Sequence, residues 1–296
     1  MKNILLILII AQNFVLAQTL IKDSNSKEPI PYVSVSRQNG TGTYSNEDGS
    51  FELLISSSDT LYISHLAYKS IKLTKSDIDN LTGGVIYLVP KSFQLSEVQI
   101  SQSRKSEIDL GYYYNKTFFN RTGPGGKNDF SVFVNHLKNT ANQQGYLEKL
   151  YFDLHVDLTE KSNSKARIRV FSVGEDGLPK DDLLNKEIIK RIDRLTPNLQ
   201  IDVSEFNIVF PLNGVFIGLE FFCNYEQKEQ NRRGNYKTIT NCPHIETAKV
   251  LNSNVIGESY FWSIWAGKMQ WVCYSDGTKM RGAKGHVFKF GAKVRY

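Results

Sequence analysis

The sequence predicts an all-β protein. Apolar and polar residues alternate with a period of two in many short runs, the pattern of strands with one buried and one exposed face. Tight-turn sequences such as Asn46-Glu47-Asp48-Gly49 separate these runs. Aromatic residues, which favour strands, make up 12% of the 296 residues, with 15 Tyr and 17 Phe. A hydrophobic content of 41% is enough for a large core.

Residues 28–66 carry the first four predicted strands. Side chains alternate between apolar and polar at 32–36, and again at 51–56 after the turn at 46–49. A second turn at 57–59 leads into a further alternation at 61–65. Strands are also predicted at 68–73 and 85–88, with a loop or a single helical turn at 75–81 between them. Short strands at this spacing indicate a β-sandwich.

Three motifs in this stretch resemble those of a known family. They are EPIPYVSV at 28–35, GTYSNEDGSF at 42–51 and DTLYISHLAY at 59–68, in the order typical of the carboxypeptidase-regulatory-like domain. The resemblance covers about residues 18–101 and implies a transthyretin-like β-sandwich of about seven strands. The chain departs from the family in a short first strand at 19–21 and in Ala67-Tyr68, where Gly-Tyr is usual. No peptidase activity is implied, because a fold does not by itself carry chemistry.

The second half predicts a larger, jelly-roll-like β-sandwich. Its clearest strand spans 150–158, and further strands are predicted at 167–171, 199–203, 208–211, 215–222 and 286–290. Residues 186–191 fit a strand or a short helix. Asn213-Gly214 predicts one hairpin, and 260–264 with 269–274 predicts another around 266–268. About nine or ten strands result, and residues 166–220 resemble the C-terminal β-sandwich that follows this regulatory domain in secreted envelope proteins.

The predicted organisation therefore has four parts. They are a signal peptide at 1–17, the regulatory-like sandwich at 18–101, a linker at 102–127 and the C-terminal sandwich at 128–296. The boundary is placed at 101–108, SQSRKSEI, because this stretch is charged and has no apolar period.

Residues 1–17 have the features of a secretory signal. Lys2 supplies a positive start, residues 4–10 form an unbroken apolar run, and Ala17 ends a small-residue cleavage site. A buried N-terminal strand is the alternative. The residue directly after Ala17 is Gln18 and not Cys, so no lipid anchor is expected there. No later segment is apolar enough to be transmembrane, so no span is expected. We expect an exported protein, in the periplasm or at the outer membrane or cell surface of a Gram-negative bacterium.

The charge of the chain limits the partners that we expect for it. The net charge is +6, but no run of five Lys or Arg occurs, so nucleic acid is not an expected partner.

The three cysteines are Cys223, Cys242 and Cys273. In an oxidising compartment Cys223 and Cys242 fit a disulfide across a polar segment, and three reduced thiols are the equal alternative.

No pattern in the sequence predicts catalysis or a cofactor. None of the five His has zinc-peptidase spacing, and there is no nucleophile elbow or phosphate-binding loop. His155, between Asp153 and Asp157, fits a metal or acid–base site, but a solvated polar face is preferred. Acidic residues at 175, 176, 181 and 182 flank a turn without the spacing of a calcium loop. We therefore expect no metal and no catalytic residue.

All three tryptophans lie in one segment, residues 260–274. Trp262, Trp265 and Trp271 are candidates to stack on sugar rings or other planar apolar surfaces. Half of the residues in a strand point inward, so core packing is the preferred interpretation and an exposed binding face the alternative. Trp262 and Trp265 have opposite parity along a strand and need not form one platform. Trp265 lies beside the predicted turn, which makes it the best candidate for an exposed contact.

The sequence predicts a non-catalytic, exported envelope protein that acts as a binding or scaffolding module for glycans or surface proteins. Two alternatives stay open. One is a secreted hydrolase whose site residues are scattered over loops. The other is a protein that works with a TonB-dependent uptake system, because such receptors often begin with this domain. A receptor itself needs a plug and a barrel, for which about 190 residues are too few.

We predict that the exported protein begins at Gln18, because the small-residue site ends at Ala17. N-terminal sequencing of the mature protein tests this prediction. Mature protein that still carries Met1 or Lys2 would contradict both the cleavage site and the expected export.

Overall fold

The computed structural model shows a protein built almost entirely of β-strands, as predicted. The structure describes residues 19–39, 41–91, 106–111, 120–124, 132–155, 164–192, 197–222, 225–230, 236–240, 242–249, 256–265, 268–277 and 283–296. The predicted signal peptide lies outside these ranges.

Seven strands and one helical turn form the first unit. They are β1 (Thr19–Asp23), β2 (Ser34–Arg37), β3 (Gly42–Tyr44), β4 (Ser50–Phe51), β5 (Thr60–His65), β6 (Tyr68–Thr74), α1 (Lys75–Asp79) and β7 (Val85–Leu88). One sheet has the order β4-β1-β7, and the other has the order β3-β2-β5-β6. The predicted seven-strand sandwich is confirmed.

The alternation in the sequence fills the space between these two sheets. Val35 and Ile63 are fully buried from one sheet, and Ile21 and Leu88 are fully buried from the other. The turn at 46–49 ends in Gly49, whose φ of 76° is unfavourable for other residues. A Cβ at Gly49 would also lie 2.6 Å from the main-chain oxygen of Ile21. The turn therefore requires glycine at this position.

The second unit contains seventeen strands among the residues described. They are β8 (Glu107–Gly111), β9 (Asn120–Thr122), β10 (Val132–Leu137), β11 (Gly145–His155), β12 (Ser164–Val173), β13 (Pro179–Asp182), β14 (Ile189–Ile192), β15 (Asn198–Asp202), β16 (Val209–Phe210), β17 (Val215–Phe222), β18 (Tyr225–Gln230), β19 (Tyr236–Thr240), β20 (His244–Lys249), β21 (Ile256–Trp265), β22 (Lys268–Cys273), β23 (His286–Phe288) and β24 (Phe290–Arg295). One large sheet has the order β13-β12-β17-β10-β21-β22, with β14 also on β12. The other has the order β23-β20-β11-β24-β8, with β15 and β16 on β11 and β9 on β20.

The two large sheets share one hydrophobic core. Ile168 and Ile217 come from the first of them, Phe152 and Phe290 come from the second, and all four are almost completely buried. The rings of Phe152 and Phe290 meet edge to face, with centroids 4.9 Å apart. This arrangement confirms the larger β-sandwich predicted for the second half.

Two local expectations differ from the structure, the number of strands and the hairpin at Asn213-Gly214. Seventeen described strands replace the predicted nine or ten, partly because the polar stretch 224–255 holds the β18–β19 hairpin and β20. Gly214 does form a turn, with φ of 78°, but β16 and β17 on either side join different sheets. The Asn-Gly pair determines the conformation of the turn, but it does not determine which strands β16 and β17 pair with. Strands β8 and β9 lie within 102–127, the range assigned to a linker, and pair with β24 and β20.

Phe152→Ala is expected to lower the free energy of unfolding by about 3–5 kcal/mol, because it removes a buried ring from the centre of the core. Leu212→Ala, at a side chain that is 64% exposed, should change it by less than about 0.5 kcal/mol. Urea unfolding followed by circular dichroism measures both variants. Equal effects of the two substitutions would contradict the position of the core.

Candidate ligand-binding cleft

The sheet that contains β12 and β17 has one face in the core and the other towards the first unit. Ile168 and Val170 point into the core, so Arg167 and Arg169 lie on the opposite face, because successive strand residues point to opposite sides. Arg167 is only 1% exposed. A buried guanidinium is costly unless a carboxylate compensates its charge.

Glu220 on β17 is the shared partner of the two arginines. Its Oε2 lies 2.9 Å from Nη1 of Arg167 and 2.6 Å from Nη1 of Arg169. On the other side, Nε of Arg169 lies 2.5 Å from Oδ2 of Asp182. Burial raises the pKa of Glu220, but the two guanidinium groups outweigh burial and lower that pKa to about 2. Glu220 is therefore ionised at neutral pH and held between cations.

The first unit closes over this ion network. The main-chain oxygen of Tyr32 accepts a hydrogen bond of 2.8 Å from Nη2 of Arg167. The hydroxyl of Tyr44 donates one of 2.9 Å to Oε1 of Glu220. The Phe222 ring packs against both tyrosines, with centroids 4.7 Å from Tyr32 and 4.8 Å from Tyr44. The joint between the units thus combines buried polar contacts with aromatic packing.

Two further contacts extend the joint. Nε2 of the buried His65 lies 3.1 Å from Oε1 of Glu187, and the same oxygen accepts a hydrogen bond of 2.6 Å from Nε of Arg167. Lys165 forms an ion pair with Glu47 at the edge of the joint. These contacts hold the two units in a defined relative orientation.

Beside the joint, the two units enclose a cleft of about 810 Å³. The first unit contributes the polar side of its β2-β5-β6 sheet, and the second contributes the part of its sheet that the joint leaves uncovered. The lining includes Ser34, Ser36, Arg37, Tyr62, Ser64, Ser70 and Lys72 from the first unit, and Val132, Arg169, Phe171, Lys180, Glu220, Trp262 and Trp271 from the second.

One wall of the cleft is aromatic. Trp262 on β21 and Trp271 on β22 are directly opposite each other, and their ring centroids are 5.1 Å apart at 63°. The Trp271 ring also meets the edge of Phe171, with centroids 5.7 Å apart. Both tryptophans are half-buried against a small apolar cluster that includes Val134 and Phe216. Packing therefore fixes the two indoles while part of their surface lines the cleft.

The opposite wall carries hydroxyl groups. Ser34 is opposite Ser64 across β2 and β5, and Ser36 is opposite Tyr62. Lys72 on β6 lies next to Tyr62, with its ammonium 5.0 Å from the centroid of that ring. The apolar residues of these strands point into the first core, so their polar neighbours face the cleft.

Comparison with known protein families identifies the first unit. Residues 20–100 match the family model of the CarboxypepD_reg-like domain. The first unit is a CarboxypepD_reg-like domain. No curated protein matches the chain.

Among solved structures, a structure of infectious bursal disease virus Gt strain aligns with 91% of this chain at 11% identity and a TM-score of 0.19. The chain spans 62% of that viral chain, which is less than two thirds of its length. A likeness this low supports no conclusion about fold or function.

The CarboxypepD_reg-like domain contributes the wall that the sequence did not single out. Ser34, Ser36 and Ser64 lie on the polar side of predicted strands, so the alternation itself was visible. No local pattern in the sequence indicates what the polar side of these strands faces, because the opposite wall of the cleft comes from the other half of the chain.

The structure brings together two of the three candidate tryptophans. Trp262 and Trp271 pack on one side and line the cleft on the other, so core packing and exposure to a ligand are compatible for this pair. Trp265 is paired with Lys268 at the end of β21, and its side chain lies outside the described residues. The role of all three in binding stays a prediction.

The other candidate sites do not assemble at the cleft. Asp182, from the acidic group at 175–182, is paired with Arg169. Asp153, next to His155 along β11, lies 3.2 Å from the ammonium of Lys289, and Asp157 is outside the described residues. In the part of the chain that the structure describes, no three His, Cys, Asp or Glu are grouped to hold a metal. No helix within those same ranges could span a membrane.

The cysteines fit the disulfide alternative. Cys242 is disulfide-bonded, and Cys273 is a free thiol whose pKa burial raises to about 11. Cys223 lies outside the described residues.

The Glu220 network predicts a loss of stability in acid. The ordinary pKa is 4.5 and the folded-state pKa is about 2, so ionised Glu220 stabilises the folded state above about pH 4.5 and the contribution is lost as the pH falls to about 2. This loss is on the order of 3 kcal/mol. Glu220→Gln should be less stable at pH 7 and should lose less stability on acidification, measured by urea unfolding at each pH. Glu205→Gln, at an exposed position, should follow the unmodified protein, and parallel curves for all three proteins would contradict the network's role.

Proposed function

We propose that this protein is an exported, non-catalytic binding module that holds a carbohydrate in the cleft between its two units. The observation that carries the proposal is the pair Trp262 and Trp271, fixed side by side on one wall and opposed by hydroxyl-bearing strands on the other.

The two walls match the two surfaces of a sugar ring. A sugar presents C–H groups on its faces and hydroxyl groups around its rim, and flat aromatic side chains pack on such apolar faces. Hydroxyl side chains both donate and accept hydrogen bonds, so Ser34, Ser36 and Ser64 can match a rim of hydroxyls in either role. A cleft of 810 Å³ is within the range of small-ligand sites.

The lining also supports binding without hydrolysis. Glycosidases use two carboxyl groups, one on each side of the scissile bond. Glu220 is the single carboxylate in the described lining, and Arg167, Arg169 and Tyr44 already occupy its oxygens. A carboxylate whose pKa is about 2 is a poor general acid or base at neutral pH.

Two features of the chain support export. The first 17 residues have the pattern of a secretory signal. The disulfide at Cys242 is the kind of bond that persists in oxidising compartments.

Filling the cleft is expected to abolish binding. Ser64→Trp places a large side chain on the hydroxyl wall at an exposed position, so folding should be unchanged while the space opposite the tryptophans is lost. Ser57→Trp, an exposed serine outside the cleft lining, is the matched control. A glycan array with the mature protein identifies ligands, and isothermal titration calorimetry compares the variants. Undiminished binding by Ser64→Trp at an unchanged melting temperature would reject the cleft as the site.

Trp271→Ala tests the aromatic wall in the same assay. Loss of an aromatic anchor should weaken binding by at least about tenfold. Tyr87→Ala removes an exposed aromatic residue from the other sheet of the CarboxypepD_reg-like domain and should leave affinity unchanged. A protein that binds no array glycan before or after substitution would reject the carbohydrate proposal.

A further inference from the structure

The cleft is lined by more positively than negatively charged side chains. Four cations line it, Arg37, Lys72, Arg169 and Lys180, with Glu220 as the single carboxylate in the described lining. The arginines are neutralised by fixed partners, because Nε of Arg37 lies 3.3 Å from Asp59 and Arg169 is held by Glu220 and Asp182. Among the residues that the structure describes, the two lysines have no such partners.

Lys72 and Lys180 stand on opposite walls. Lys72 projects from β6 of the CarboxypepD_reg-like domain, and Lys180 projects from β13 of the second unit. Both are exposed, and neither ammonium forms an ion pair with a described carboxylate. The ammonium of Lys72 lies over the face of Tyr62, 5.0 Å from the ring centroid, and an ammonium has three N–H donors to offer an anion.

We propose that the ligand of the cleft is an acidic oligosaccharide, whose anionic groups are bound by Lys72 and Lys180 while its rings pack on Trp262 and Trp271. This inference rests on the proposed carbohydrate-binding function and narrows it to one ligand class. Two ammonium groups on facing walls bind anions on both sides of a chain held between them. A lysine ammonium acts as a point charge, so sugar carboxylates and sugar sulfates both satisfy it.

Electrostatics favours this class over neutral glycans. A neutral sugar gains little from a hydrated ammonium, whereas an anion gains attraction in a cleft that contains no free carboxylate among its described lining residues. The net charge of +6 acts in the same direction at long range. Salt should therefore weaken the binding of acidic ligands and leave that of neutral ligands nearly unchanged.

The test compares matched probes by isothermal titration calorimetry. One pair is an oligomer of galacturonic acid and its full methyl ester, and the other is a dextran sulfate oligosaccharide and its unsulfated dextran form, so that the second member of each pair is neutral. The acidic member of at least one pair should bind about tenfold or more tightly than its neutral match, and raising NaCl from about 0.05 M to about 0.5 M should remove most of that difference.

Lysine variants connect the preference to the cleft. Lys72→Gln and Lys180→Gln should each weaken the acidic probe about threefold, and the double variant should do so about tenfold, without changing the affinity for the neutral match. Lys69→Gln, at an exposed lysine of β6 outside the lining, should leave all affinities unchanged. These substitutions are on exposed side chains, so the melting temperature should not change.

The outcomes separate the two proposals. Equal binding of acidic and neutral probes, with both lost in Ser64→Trp, would reject the acidic ligand and retain the carbohydrate cleft. A preference for acidic probes that Lys69→Gln reduces as much as Lys72→Gln would assign it to general surface charge and reject this inference. Failure of every acidic probe, with binding to a neutral array glycan retained, would reject this inference alone, and failure of every probe together with every array glycan would reject both proposals.

Discussion

The relation between the two halves of this protein depends on one buried ion pair, between Arg167 and Glu220. A guanidinium that is 1% exposed is tolerated only where carboxylates and hydrogen-bond acceptors surround it. Glu220 supplies the charge from the neighbouring strand, and the main-chain oxygen of Tyr32 supplies an acceptor from the first unit. The second unit supplies both carboxylates, Glu187 and Glu220, and the first unit adds the acceptor that completes the hydrogen bonding of the buried arginine. Polar contacts of this kind are directional enough to fix orientation.

The cleft is a consequence of that fixed orientation. The joint covers the β12–β17 end of the sheet's outer face, and the β21–β22 end, which carries Trp262 and Trp271, stays partly open. A sheet buried on both faces would have hidden the indoles, and a sheet exposed on its outer face would have left them without an opposite wall. Because the outer face of this sheet is covered at one end and open at the other, its aromatic surface is anchored by packing and accessible from one side.

Buried polar groups also set the register inside the second unit. Asn135, fully buried on β10, donates a hydrogen bond to the main-chain oxygen of Phe288 and accepts one from Ser259 on β21. Ser259 in turn accepts a hydrogen bond from the amide of Phe288. A slip of two residues keeps apolar side chains on the buried face of a strand. A closed hydrogen-bond network excludes that slip too, because it leaves buried polar groups unpaired. The network thus ties β10, β21 and β23 into one arrangement beneath the aromatic wall.

Most strands of this protein follow from local patterns in the sequence. Period-two alternation and turn residues are local signals, so they predicted strands of the first unit, the strand that the structure describes as far as residue 155 and the hairpin that carries the tryptophans. The count of seven strands in the first unit came from the family resemblance. The packing partners of those strands became known only from the folded structure. Asn213-Gly214 turns the chain between sheets, Glu220 pairs with arginines from another strand, and Ser34 and Ser64 face Trp262 and Trp271 across a cleft. Each of these contacts joins residues far apart in the chain, and strand partners are chosen by the burial and charge of the whole assembly, which no local period encodes.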